Sequence, residues 1–106
     1  MFDKTKREKI INLIGVVLRD GNKVLLLQRN KQPYQGYWGF PGGKMEYGEH
    51  VADTAVRECF EETGIHAQFE KVCGIATEII REQGKVVGHF VIFLCKLGAK
   101  DFQVKE

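Results

Sequence analysis

No stretch of this chain reaches the roughly 18 uninterrupted apolar residues that a membrane-spanning helix needs, and the charged opening MFDKTKREKI has no apolar core of the kind a secretory leader carries. A cytoplasmic protein is expected, with no membrane partner. Strong charge of one sign is also missing: 16 basic against 14 acidic residues leave a net +2, too little to draw the chain onto nucleic acid or an anionic surface. An anionic ligand must therefore be captured locally. Cysteine is scarce and odd in number, and Cys59, Cys73 and Cys95 lack the short paired spacing of a zinc or redox site. All three lie in apolar stretches, so they read as buried free thiols in a reducing compartment. Repeats, low-complexity tracts and interdomain linkers are absent as well. What remains is 106 residues, 43% of them hydrophobic, which is enough for one domain over 1–106 that buries roughly two thirds of its unfolded surface.

Two apolar runs flank Asp20-Gly21, a dipeptide suited to the positive φ of a tight hairpin. Ile14 to Arg19 and Lys23 to Gln28 are predicted to pair antiparallel. The unbroken run Val24, Leu25, Leu26, Leu27 predicts a second strand covered on both faces, hence helices on both sides of a sheet. Next comes NKQPYQGYWGFPGGKMEYGE, whose glycines, aromatics and Pro41 make a long regular element implausible. From His50 to Thr63 the period turns helical and places Ala52, Ala55, Val56, Cys59 and Thr63 on one stripe facing the sheet, with Gly64 as C-terminal cap. A second hairpin follows, about Phe69 to Arg81 and Lys85 to Leu97, with Gly84 in its turn.

Glu58, Glu61 and Glu62 stand at i, i+3 and i+4 near the end of that helix, so their carboxylates are expected to converge. A merely solvated face is a poor explanation. Like charges at this spacing cost a few tenths of a kcal/mol, and acids near a helix C-terminus oppose its dipole. A hard divalent cation removes both conflicts, because magnesium is held by clustered carboxylate oxygens and retained waters.

The surrounding stretch, GKMEYGEHVADTAVRECFEETGI from Gly43 to Ile65, fits G-x5-E-x7-R-E-U-x-E-E-x-G-U, where U is apolar. This resembles the Nudix hydrolase box at every fixed position: Gly43, Glu49, Arg57, Glu58, Glu61, Glu62 and Gly64. Only Cys59 departs, standing where an aliphatic residue is commoner. The resemblance implies an α/β fold, an α/β/α sandwich around a mixed sheet. It further implies metal-dependent hydrolysis of a pyrophosphate bond in a nucleoside diphosphate linked to another moiety: a nucleoside triphosphate, ADP-ribose or a nucleotide sugar. A noncatalytic nucleotide-binding or sensing module on the same fold is the alternative. By the same resemblance Glu58, Glu61 and Glu62, with Gly43, bind magnesium or manganese. Arg57 holds the carboxylates by ion pairing, and Glu49 assists through a water or through Arg57.

Gly42 and Gly43 let the backbone approach metal or phosphates closely, and Arg29 and Lys44 are further candidate phosphate contacts. Glu46 flanks the same loop. For Tyr37, Trp38 and Phe40 core packing is the commoner use, with a base pocket as the other. His50, His66 and His89 read as structural or solvent-facing. Members of the family usually continue into another strand and a C-terminal helix, which this chain lacks, so a truncated domain with an under-covered apolar sheet face is expected. The family's general base often lies beyond the box, and Glu78, Glu82 and Glu106 are the candidates. A small-molecule nucleotide is the expected partner, with homodimerisation open and nucleic acid not expected.

Overall fold

The computed structural model describes residues 8–31 and 34–103. Its elements run β1 (Ile11–Asp20), β2 (Lys23–Val24), β3 (Leu27–Gln28), β4 (Trp38–Gly39), β5 (Gly42–Lys44), α1 (Val51–Thr63), β6 (Gln68–Glu82) and β7 (Lys85–Gly98). Alternation in β1 sends Ile14, Val16 and Leu18 to one face, and all three are buried. That face receives α1. Cys95 and Leu97 of β7, Ala55 and Cys59 of α1, and Ile65 and Ala67 beyond the helix complete the core. β1 runs through the centre of a mixed sheet of order β2-β1-β7-β6, parallel to β7 from the Ile11–Phe90 pair to Leu18–Leu97 and antiparallel to β5. An α/β fold with a mixed sheet is what the sequence led us to expect.

Helix α1 begins where Asp53 accepts a hydrogen bond from the His50 N–H at 3.0 Å, which satisfies one donor of the open first turn. It ends at Gly64, whose φ of 76° puts it in the left-handed region while its N–H donates to the Phe60 carbonyl at 2.8 Å. The left-handed cap suits a residue without Cβ. Thr63 turns its hydroxyl inward to the Cys59 carbonyl at 2.6 Å and accepts from Ile65 N–H at 3.0 Å, so a buried polar side chain is satisfied at both ends. Of the expected inward stripe Ala55, Cys59 and Thr63 are buried and Ala52 and Val56 half-buried, and Thr54 is buried on another side of the helix.

Three expectations are corrected. The first hairpin pairs only Arg19–Val24 and Asp20–Lys23, so Asp20 is still strand and the turn is Gly21-Asn22. Leu25 keeps one bond to the Leu18 carbonyl, after which the chain leaves the sheet and Leu27–Gln28 pairs instead with Trp38–Gly39. The run Val24 to Leu27 is accordingly no doubly covered strand, since Val24 and Leu26 are both 41% exposed. Among the described residues there is one helix, on one face, so apolar continuity here marks a chain crossing from the five-stranded sheet to a two-stranded one. Cys73 is exposed rather than buried, because the irregularity between Val72 and Gly74 breaks the alternation that would have turned it inward. Burial does push the Cys59 and Cys95 thiols up.

The second hairpin forms as expected around Gln83-Gly84. On the sheet face away from α1, Leu13, Ile92 and Leu94 line an open apolar cavity of about 530 Å³. No described helix is long and apolar enough to cross a membrane.

Candidate active site

Helix α1 and strand β5 meet edge-on, and the glycines of β5 are what allow it. A Cβ on Gly42 would collide with the Ile14 carbonyl, and one on Gly43 would lie 2.6–2.7 Å from the Glu58 carboxylate. Gly42 therefore lets β5 lie close against β1, and Gly43 lets the acidic face of α1 close on backbone. Gly42 N–H donates to Glu62 at 3.2 Å and 3.4 Å to its two oxygens.

Arg57 organises the other acids. Its Nε donates to Glu49 Oε2 at 2.8 Å and its Nη2 to Glu49 Oε1 at 3.0 Å, the two-pronged geometry that a guanidinium and a carboxylate match best. Its Nη1 donates to Glu58 at 2.9 Å and lies 3.3 Å from Glu61, while Nη2 also reaches the Lys44 carbonyl at 3.3 Å. Glu46 is a looser partner at 3.7 Å. One cation thus bridges acids from the loop and from two turns of helix.

Glu49 receives further donors: Glu46 N–H at 2.9 Å and the buried Thr54 hydroxyl at 2.9 Å. The Arg57 hydrogen bonds first, then Glu46 N–H and Thr54, outweigh burial and hold the Glu49 carboxyl at about 2 against an ordinary 4.5. Arg57 is correspondingly held well above its usual range, Glu49 again the main cause. Because the folded value of Glu49 is depressed, the stability these bonds contribute is complete above about pH 4.5 and is lost as pH falls toward about 2. Urea unfolding should show Glu49→Gln destabilised relative to wild type at about pH 6, with the gap closing between about pH 4.5 and pH 2.5. A gap that persists unchanged at the acid end would mean that glutamine damages the site by some route other than lost charge.

Glu62 behaves oppositely. Burial raises its pKa, Gly42 N–H opposes that, and the charges of Glu58 and Glu61 raise it further. The carboxylates gather around Arg57 and Gly42-Gly43, yet among the described residues no three acidic, histidine or cysteine side chains close on a common point. The expected convergence is met by two of the three carboxylates. Glu58 and Glu61 meet at the same Arg57 Nη1, while the Gly42 N–H holds Glu62 apart from them. The donor chemistry nonetheless fits a hard cation, being carboxylate oxygen throughout, with Glu62 carrying uncompensated repulsion that added positive charge would relieve.

Of the other candidates, Arg29 and Gly42 line a cleft of about 660 Å³ with Glu62, and they also wall the open-face cavity with Gly43. Lys44 is exposed and contributes its carbonyl. Tyr37, Trp38 and Phe40, expected mainly in the core, are 69%, 63% and 45% exposed and line that cleft. The reason is the short β3–β4 pairing, which lifts them off the main sheet. His66 stacks on Phe60 with ring centroids 4.4 Å apart, and His50 precedes the helix. Glu78 faces the open cavity, Glu82 pairs with Lys85 beside the hairpin turn, and Glu106 lies outside the described residues. Sequence reasoning missed Thr54, which lies off the inward stripe and in line with Glu58 and Glu61 at i, i+4 and i+7.

Comparison with known proteins gives a consistent picture. The model of the NUDIX domain matches residues 11–104. An uncharacterised Nudix hydrolase, YvcI of Bacillus subtilis (strain 168), is 44% identical over 77 residues, covering 73% of this chain and 47% of that protein. The ADP-ribose pyrophosphatase of Methanocaldococcus jannaschii is 34% identical over 86 residues, 81% of this chain and 50% of the other. The chain thus spans about half the length of these curated relatives. Among solved structures, the mutator MutT protein from Bacillus halodurans superposes with a TM-score of 0.72 at 33% identity, over 91% of this chain and 61% of that one.

Proposed function

Because the chain belongs to the Nudix family, we propose that it hydrolyses a pyrophosphate bond in a nucleoside diphosphate linked to another moiety, with a divalent metal bound by the helix glutamates. One observation carries the reading: the acidic face of α1 closes on Gly42-Gly43 where two cavities share the wall formed by Arg29, Phe40 and Gly42. A substrate with a different group at each end of a diphosphate needs such an arrangement. The charged linkage lies at the shared wall, and each cavity takes one of the two groups.

Glu58, Glu61 and Glu62 are the residues that would hold magnesium or manganese beside Gly43. When bound, such a cation neutralises phosphate charge and lowers the pKa of the attacking water. Arg57 keeps Glu58 and Glu61 positioned, and its fork to Glu49 fixes the guanidinium itself. Arg29 supplies positive charge at the wall where phosphate oxygens would lie. Tyr37 and Trp38 offer flat apolar surface in the cleft. The relatives' names include an ADP-ribose pyrophosphatase, and nucleoside triphosphates and nucleotide sugars share the same linkage.

A panel of nucleoside triphosphates, ADP-ribose and nucleotide sugars, assayed for phosphate-containing products with and without magnesium, tests the proposal. Turnover of at least one compound, abolished by chelator, is expected. Magnesium should also raise the thermal midpoint of the wild-type chain, since a ligand of the folded state alone stabilises it by mass action. Nucleotide binding with no turnover of any compound would overturn the proposal in favour of a sensing module.

A further inference from the structure

The open face of the sheet has an apolar wall with one acid in it. In the β6–β7 ladder Ala76 lies opposite Ile92, Glu78 opposite Phe90 and Ile80 opposite Gly88, and all but Gly88 line the cavity with Leu94. Among the residues lining it Glu78 is the single carboxylate and Arg29 the single cation. A period-two strand that turns Ala76 and Ile80 to an apolar face would ordinarily place an apolar residue between them.

Resting on the hydrolase reading above, we infer that Glu78 determines which base is accepted, by selecting one that presents two neighbouring N–H donors. A carboxylate only accepts, and has two oxygens side by side. The guanine edge, a ring N–H beside an exocyclic amine, answers it with two parallel hydrogen bonds. Adenine sets a ring nitrogen acceptor beside its amine, so one of the two contacts becomes repulsive. Phe90 and Ile80 supply the apolar surface against which a planar base packs. Gly42, Gly43 and Arg29 wall the same cavity, so a base held there leads its phosphates to the glutamate site.

The test measures dissociation constants of GMP, dGMP, AMP and dAMP by calorimetry for the wild type, Glu78→Ala and Glu78→Gln. Wild type should bind both guanine nucleotides about tenfold or more tightly than both adenine ones, the range expected of paired hydrogen bonds to a charged group. Glu78→Ala should erase that ratio and leave adenine affinities unchanged or improved, with Glu78→Gln in between. A preference that follows the ribose hydroxyl instead of the base would overturn the inference. So would an equal loss of turnover on every nucleotide, which would move Glu78 into the chemistry. Unchanged affinities with new self-association of Glu78→Ala would overturn it too, since β6 is an edge strand and an inward charge can serve to block pairing. Equal turnover of guanine and adenine nucleotides would defeat this inference alone, whereas guanine-selective binding without turnover would defeat the hydrolase reading and leave Glu78 as selector.

Discussion

Glu62→Gln is expected to lower kcat by about a hundredfold or more, the scale seen when a group at a charged reaction centre is lost, while the folded chain survives. The argument begins with charge. Glu62 stands in the last turn of α1, which holds no basic residue, and its pKa is raised by burial and by Glu58 and Glu61. Without metal, that ionised carboxylate is a burden on the fold. Glutamine keeps the shape and retains an oxygen for the Gly42 N–H, so in chelator the variant should be as stable as wild type or more so. Glu61→Gln should show the same division between rate and stability, with less gain because Glu61 already has the Arg57 guanidinium as a partner. Magnesium should reverse the stability order: it raises the wild-type midpoint and leaves Glu62→Gln nearly unmoved. Steady-state kinetics together with thermal unfolding, each with and without magnesium, checks both halves. Undiminished turnover in both variants would remove these carboxylates from the metal site.

Gly42→Ala and Gly43→Ala form the second prediction, because neighbouring glycines face different obstacles. A methyl on Gly42 meets the Ile14 carbonyl and the Gly15 Cα, which are backbone atoms of the central strand. Neither can move without breaking the β1–β5 pairing. Gly42→Ala should therefore cost about 3 kcal/mol or more, in the range reserved for steric conflict inside a packed structure, and should appear as a large fall in the urea midpoint. A methyl on Gly43 meets the Glu58 carboxylate instead, the far end of a side chain that can rotate away. Here the fold should hold within about 1 kcal/mol and activity should fall at least about tenfold, since Glu58 loses its place beside Arg57. Equal stability of the two variants would mean that β5 adapts to a Cβ at either position.

Much of the site is legible because it is local. Glu58, Glu61 and Glu62 belong to a few turns of one helix, so spacing alone places them on a shared face, and Arg57 falls among them by the same period. The brace around Glu49 is harder to read. Its donors come from the loop backbone, from the buried Thr54 and from Arg57, and no periodic rule joins the loop to the helix. The misplacement of Tyr37, Trp38 and Phe40 has a similar cause. Composition reports that aromatics tend to be buried, whereas their exposure depends on where β3 leaves the main sheet.

The order of residues along the chain was by itself enough to specify the α/β class, the acidic helix with its glycine cap, and the box that relates this chain to its family. Each depends on neighbours within a few turns, where period and propensity act directly. Tertiary structure alone decided that Glu62 settles on the Gly42 N–H apart from the pair on Arg57, that Cys73 faces outward, and that Glu78 joins Gly42 and Gly43 around one cavity. Those outcomes follow from strand register and from the parallel pairing of β1 with β7, contacts between distant segments that form only when the whole sheet assembles.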